Sequence, residues 1–150
     1  MPYEQTFVML KPGVLQRRIV GEVISRMERK GLKIIALKMM TIPRELCERH
    51  YEEHRGEYFY AALVDYMTSG PVLAFVVAGT DAVAVLRLLT GPKDHTEAPP
   101  GTIRGDFCAF TRKNILHASD SAASAKREIE LFFTPGEIVE WEDGNERWFF

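Results

Sequence analysis

The order of the periodic segments predicts an α+β sandwich of the ferredoxin-like βαββαβ kind, a four-stranded antiparallel sheet with helices packed on one face. Two observations carry that reading. Four short apolar runs of strand character are separated by stretches of helical spacing, and no internal repeat or low-complexity linker interrupts them. The 150 residues, 46% hydrophobic and 27% charged, suit one compact domain with a core of its own, taken as 1–150.

The elements follow in order. TFVMLK reads as the first strand, closed by Pro12 and Gly13. From Arg18 the period changes: Val20, Val23, Ile24 and Met27 recur at helical spacing, Glu22, Arg26 and Glu28 lie opposite, and Gly31 suits the position after the last turn. LKIIALKMM is apolar on both faces and is expected inside the sheet, covered above and below, until Pro43 starts a new helix. PRELCERHYEEH and FYAALVDYMTSG read as two helices joined by RGEY. PVLAFVVA is a buried strand, and DAVAVLRLLTG is a helix capped by Asp81 and stopped by Gly91 and Pro92.

No periodic pattern returns until about Phe107, and a loop of that length in a small domain is expected to be either disordered or functional; this one holds Lys93 and Arg104. In NILHASDSAASA the run Ile115–Leu116 looks like strand, with His117 at its exit. Ser119, Asp120 and Ser121 are all good caps for a helix from Ala122 to Phe132.

A net charge of −2 and a pI near 6.1 give no global reason to bind nucleic acid or an anionic membrane, so any basic site must be local. MPYEQTFVMLKPG carries an acidic residue early and too short an apolar run for a signal peptide, and no later stretch approaches a membrane span; a cytoplasmic protein is expected. Cys47 and Cys108 stand alone, without a CxxC pair, and are read as reduced thiols with no assigned chemistry.

If the sheet brings its strand ends together, Lys11, Arg87, Arg104 and His117 converge. Three cations and an imidazole suit a polyphosphate: arginine offers a planar fork, lysine a point charge, and a neutral imidazole a nucleophilic nitrogen when another group holds its partner nitrogen. Glu128, about two turns into the helix after His117, is the candidate holder, if that helix does not carry it out of reach. Taken singly each has an ordinary reading: a turn lysine, solvated arginines, a hydrogen-bonded histidine at a strand end. Two other classes stand beside this one. HYEEH places His50 and His54 at i and i+4 on a predicted helix, where they could share a metal; a zinc-protease word would need glutamate at position 51, which is Tyr51, and no third ligand is evident. The other is a nucleotide- or nucleic-acid-binding module without catalysis.

The words in sequence are sharper than any one residue. TFVMLKPG, RRIVGEVISRMERKGLKIIALKMM, HYEEHRGEYFYAALVDYMTSGPVLAFVV, APPGTIRGDF and RKNILHASDSAASAKREIELFF together resemble the nucleoside diphosphate kinase family along nearly the whole chain. The resemblance implies a ping-pong transfer of the terminal phosphoryl group from a nucleoside triphosphate to a nucleoside diphosphate through a phosphohistidine, with the alternative of a catalytically weak nucleotide-binding homologue. On the matching positions it implies His117 as nucleophile, Glu128 and Ser119 as its support, and Tyr51 near the transferred group. Arg87 and Arg104 match phosphate-binding arginines, Lys11 a lysine reaching ribose and phosphates, Asn114 a contact to the sugar 3′-hydroxyl, and Phe59 a platform for the base. Stacking through a face that every base shares implies broad base specificity. The resemblance also implies Mg²⁺ bound through nucleotide phosphates, and a homo-oligomer, hexamer or tetramer, built from dimers; the aromatic tail ERWFF either contributes to such contacts or packs back on its own domain.

The sequence departs from the family pattern at three places. Gly13 and Val14 stand where Asp-Gly is usual, Lys93 replaces a threonine and is read as a further nucleotide-binding residue, and Ala118 replaces a glycine after the histidine. These are expected to tune activity.

Overall fold

The computed structural model describes residues 2–150. Its centre is an antiparallel sheet in the order β2-β3-β1-β4, with β1 at Tyr3–Leu10, β2 at Lys33–Met40, β3 at Val72–Thr80 and β4 at Leu116–Ala118. This is the predicted α+β sandwich. The helices are α1 (Val14–Arg17), α2 (Val20–Arg29), α3 (Arg44–His50), α4 (Tyr60–Met67), α5 (Ala82–Thr90), α6 (Ile103–Phe107) and α7 (Ala122–Phe132).

Both faces of the sheet are covered, where one was expected. Alternation along β1 sends Phe7 and Met9 to a core with Cys47 of α3, Val64 and Met67 of α4, and Ile129 and Phe132 of α7. Val8 and Leu10 go to the opposite core, with Val23 and Met27 of α2, Ala82 and Leu86 of α5, and Ile103 of α6. A strand with two packed faces is apolar throughout, and β3 is buried along all but its last residue.

The strand expected inside the sheet is at its edge. After a register shift between Ile34 and Ala36, Leu37 and Met39 of β2 are 49% and 63% exposed. The chain after α7 returns along the start of this edge: Val139 N donates to Ile35 O and Trp141 Nε1 to Ile34 O, both at 2.9 Å or less. At the C-terminus Phe149 leans on Gly31, while Trp148 stays 74% exposed. The aromatic tail therefore packs back in part.

Three local expectations are also corrected. HYEEH is not one helix: α3 ends at His50, and Glu52–His54 form a separate 3₁₀ turn, so His50 and His54 do not share a continuous helical face. Asp81 occupies the cap position of α5 in a left-handed conformation and makes no side-chain cap bond; Glu4 Oε2 accepts from Val83 N instead, at 3.1 Å. The long loop contains α6, five residues that are too short to show a period.

Candidate active site

β1 and β4 run side by side, His117 opposite Met9, and bring the ends of several elements to one cleft of about 840 Å³. Lys11, Tyr51, Phe59, Arg87, Lys93, Arg104, Asn114, His117 and Glu128 all line it. Ser119, the remaining predicted residue, is buried behind Glu128.

The imidazole is held from one side by α7. Ser121 caps that helix by accepting from Ser124 N at 3.1 Å, and the chain turns back so that Glu128 returns to β4 rather than leading away from it. His117 Nε2 lies 2.8 and 2.9 Å from the two Glu128 oxygens, and Ser119 Oγ donates to Glu128 Oε1 at 2.7 Å. A carboxylate accepts only, so in the neutral ring the proton belongs on Nε2 and Nδ1 carries the lone pair. His117 is part-exposed in the cleft while Glu128 is only 5% exposed.

The two guanidiniums reach the backbone on either side of His117. Arg87 Nη1 donates to Ala118 O at 3.4 Å, and Arg104 Nη2 donates to Leu116 O at 2.7 Å. Arg104 is buried and makes two further bonds, Nε to Asn114 O and Nη1 to Gly91 O, each 3.0 Å. Burial lowers its pKa to about 10, which still leaves it charged at neutral pH. This structural duty was not visible in the sequence.

Arg104 is presented by a loop that its own residues build. The Thr102 hydroxyl donates to Pro99 O at 2.7 Å and accepts from Gly105 N at 2.9 Å, while Asp106 accepts from Gly101 N at 2.9 Å and pairs with Arg26 of α2. A Cβ at Gly105 would lie 1.9 Å from Pro99 O, so only glycine fits. Much of GTIRGDF is thus architecture for one arginine.

Lys11 leaves β1 beside this loop, its backbone N donating to Ile115 O at 2.9 Å and its Nζ to Asn114 Oδ1 at 2.6 Å. Burial, then the charges of Arg104 and Lys93, lower its pKa to about 7. Ile115 has a φ of 76° and sits at the centre of a tight turn in which Leu116 N donates to Asn114 O at 2.9 Å. Positive φ is strained for a β-branched residue, at a cost of roughly 1–3 kcal/mol, and the strain lies two residues before His117.

The departures fit without disruption. Gly13 adopts a φ of 97° in a turn where Val14 N donates to Lys11 O at 3.2 Å, and Ala118 is an ordinary strand residue paired with Val8. Lys93 is exposed at the cleft wall, and beside it His95 holds Thr111 through its backbone N at 3.1 Å and its ring Nδ1 at 2.7 Å. At the outer end Phe59 meets His54 edge-on, ring centroids 5.3 Å apart, and Phe110 is half exposed into the cavity.

Two buried groups at the inner end lack partners. The Tyr51 hydroxyl has no hydrogen-bond acceptor or donor, and burial pushes its pKa well up. His50 has neither ring nitrogen bonded, and its ring meets that of His117 edge-on, centroids 4.7 Å apart. The sequence reading attached His50 to His54; its only signal was the HYEEH word itself.

The comparisons agree with this geometry. The family model "Nucleoside diphosphate kinase" matches residues 4–138. A nucleoside diphosphate kinase of Archaeoglobus fulgidus is 58% identical over 147 residues, covering 98% of this chain and 97% of that one, and one of Treponema pallidum is 53% identical over 145 residues, covering 97% of each. Among solved structures, a halophilic nucleoside diphosphate kinase from Halobacterium salinarum in complex with CDP superposes with a TM-score of 0.96 at 42% identity, over 99% of both chains. With fold, full-length identity and the content of the cleft all in agreement, the chain belongs to the nucleoside diphosphate kinase family.

Proposed function

We propose that this cleft carries out the exchange of a terminal phosphoryl group between nucleoside tri- and diphosphates, with His117 as the nucleophile. The observation that supports it most is the imidazole fixed by Glu128 through Nε2 and flanked, on both neighbouring carbonyls, by guanidiniums. In the first half-reaction the Nδ1 lone pair attacks the γ-phosphorus, and the bond from that phosphorus to the β,γ-bridging oxygen breaks. The diphosphate leaves with the electron pair, and the phosphoryl group rests on nitrogen. In the second half a terminal β-oxygen of another nucleoside diphosphate attacks and the P–N bond breaks.

A loose transition state spreads charge over the transferred oxygens, and positioned cations lower its energy. Arg87, Arg104, Lys11 and Lys93 are the candidates, and the unpartnered Tyr51 hydroxyl is a ready donor to a phosphate oxygen. Asn114 would share the sugar 3′-hydroxyl with Lys11, and Phe59 would carry the base on its face, which supports broad base specificity. Ser119 holds Glu128 in place. The activity belongs to the family, and the intact set of groups disfavours a weak, merely nucleotide-binding homologue.

Mg²⁺ fits this site as an ion carried by the nucleotide. The phosphate end of the cleft is rich in cations, so phosphate oxygens and water would be its ligands, and it would supply further neutralisation of the triphosphate. A homo-oligomer built from dimers, as a hexamer or tetramer, is supported by the open half of β2, where Leu37 and Met39 face solvent. No helix among the described residues is long and apolar enough to cross a membrane, and a cytoplasmic location is the reading that accompanies this chemistry.

Brief incubation with γ-labelled ATP tests the assignment. The protein should acquire an acid-labile, alkali-stable label that His117→Ala abolishes; label that survives that substitution would place the nucleophile elsewhere.

A further inference from the structure

His50 is 4% exposed, and neither of its ring nitrogens has a hydrogen-bond partner. It is wedged edge-on between His117, Tyr51 and Phe132, with centroid separations of 4.7, 4.5 and 5.2 Å. One nitrogen of His50, one of His117 and one oxygen of Glu128 all lie within 4.8 Å of one another, the only such three-residue group among the described residues. We propose that His50, His117 and Glu128 form an inhibitory binding site for a borderline-soft divalent cation of the Zn²⁺ type.

Three arguments support the site. Zinc bonds of about 2.0–2.2 Å place tetrahedral ligand atoms about 3.4 Å apart, so adjustments of roughly an ångström close the set. Two imidazoles and a carboxylate suit zinc and disfavour Mg²⁺, which prefers six oxygens, so nucleotide-bound magnesium would not compete. Neither His50 ring nitrogen is engaged in a hydrogen bond, so no existing bond need break before one of them meets a metal.

Inhibition follows from proton placement. Nε2 is the His117 nitrogen that already faces Glu128. A cation between them takes the Nε2 lone pair, and the one proton of the neutral ring moves to Nδ1. The ring keeps its proton count, but the nitrogen that would attack phosphorus has lost its lone pair. This consequence rests on the reading of His117 as nucleophile, whereas the site does not.

The test uses the whole protein without nucleotide, titrated with Co²⁺ as a coloured probe and then with Zn²⁺. One Co²⁺ per chain with visible tetrahedral absorption, displaced by one Zn²⁺, is expected, and His50→Gln should weaken binding at least tenfold while His54→Gln does not. Zn²⁺-loaded wild-type protein, freed of excess metal, should label from γ-labelled ATP at least tenfold more slowly, and His50→Gln should resist. Should His50→Gln not fold, ¹⁵N spectra of wild-type rings must show Zn²⁺ shifting His50 and His117 together, with the His117 proton on Nδ1. Absence of binding, equal affinity in His50→Gln, or shifts confined to His54 and His95 overturns the site. His50-dependent binding with undiminished labelling overturns the inhibition, and absence of labelling even without metal overturns the nucleophile assignment instead.

Discussion

Arg104 and Leu116 are joined by a 2.7 Å hydrogen bond from guanidinium to carbonyl, so the side chain proposed to meet phosphate also fastens the strand that carries His117. With its bonds to Asn114 O and Gly91 O, Arg104 ties both sides of the strained turn at Ile115 to the loop after α5. Lysine has no fork to make these contacts together. Arg104→Lys should therefore lower stability by about 3 kcal/mol as buried carbonyls lose charged donors, as well as weakening nucleotide binding. Thermal melting reads this as a fall in Tm of roughly 6–12 °C; an unchanged Tm would reduce Arg104 to a ligand contact.

Glu128 fixes the tautomer and Ser119 fixes Glu128. Glu128→Gln should cost roughly 10–100-fold in phosphorylation rate, as loss of a partner that orients an imidazole does. Ser119→Ala removes one hydrogen bond to a carboxylate and should cost about tenfold. Rapid-quench labelling with γ-labelled ATP checks both, and an effect in KM alone would contradict the positioning role.

Lys11, with a pKa lowered to about 7, is largely neutral in the free protein at pH 8. A polyphosphate beside it favours the charged form. Nucleotide binding at pH 8 should therefore take up close to one proton, and affinity should fall as pH rises above 7. Calorimetry in buffers of different ionisation enthalpy measures the uptake, which Lys11→Met should abolish.

His50 acts on stability in the opposite pH range. Its folded pKa is lowered to about 2 by burial, against 6.5 in an unfolded chain, so the unfolded state binds more protons between those values. Stability is fully present above pH 6.5 and falls as pH drops, with a limiting slope of about 1.4 kcal/mol per pH unit. Urea unfolding of His50→Gln between pH 6.5 and 4 should show a slope smaller by about one proton; parallel slopes would mean His50 is accessible to water in the folded chain.

The four antiparallel strands and the bounds of α7 were legible because alternation and capping are local: Ser121, one of three candidate caps, caps α7, and β1, β3 and β4 are short apolar runs. The convergence of Lys11, Arg87, Arg104 and His117 was legible for a related reason: Lys11 directly follows β1, Arg87 is in the last turn of α5, Arg104 is in the short α6 and His117 is in the three-residue β4. The edge position of β2 was not, because an apolar run reads the same whether its second face meets a helix or remains open. Nor was the turn at Ile115, where a β-branched residue signals strand and only the Arg104 and Lys11 bonds around it impose φ > 0. The meeting of His50 with His117 was not legible either, because spacing sets His50 beside His54, hides the 3₁₀ break between them and says nothing of a contact made between α3 and β4.

His117, Ser119 and Glu128 lie within twelve consecutive residues and meet through one strand-to-helix reversal, whereas the cations arrive from β1, α5 and the loop that follows. The proposed nucleophile and its proposed electrostatic jacket are therefore separable modules. On the proposed reading, changes such as Lys93 can accumulate in the jacket while the geometry that holds His117 stays the same.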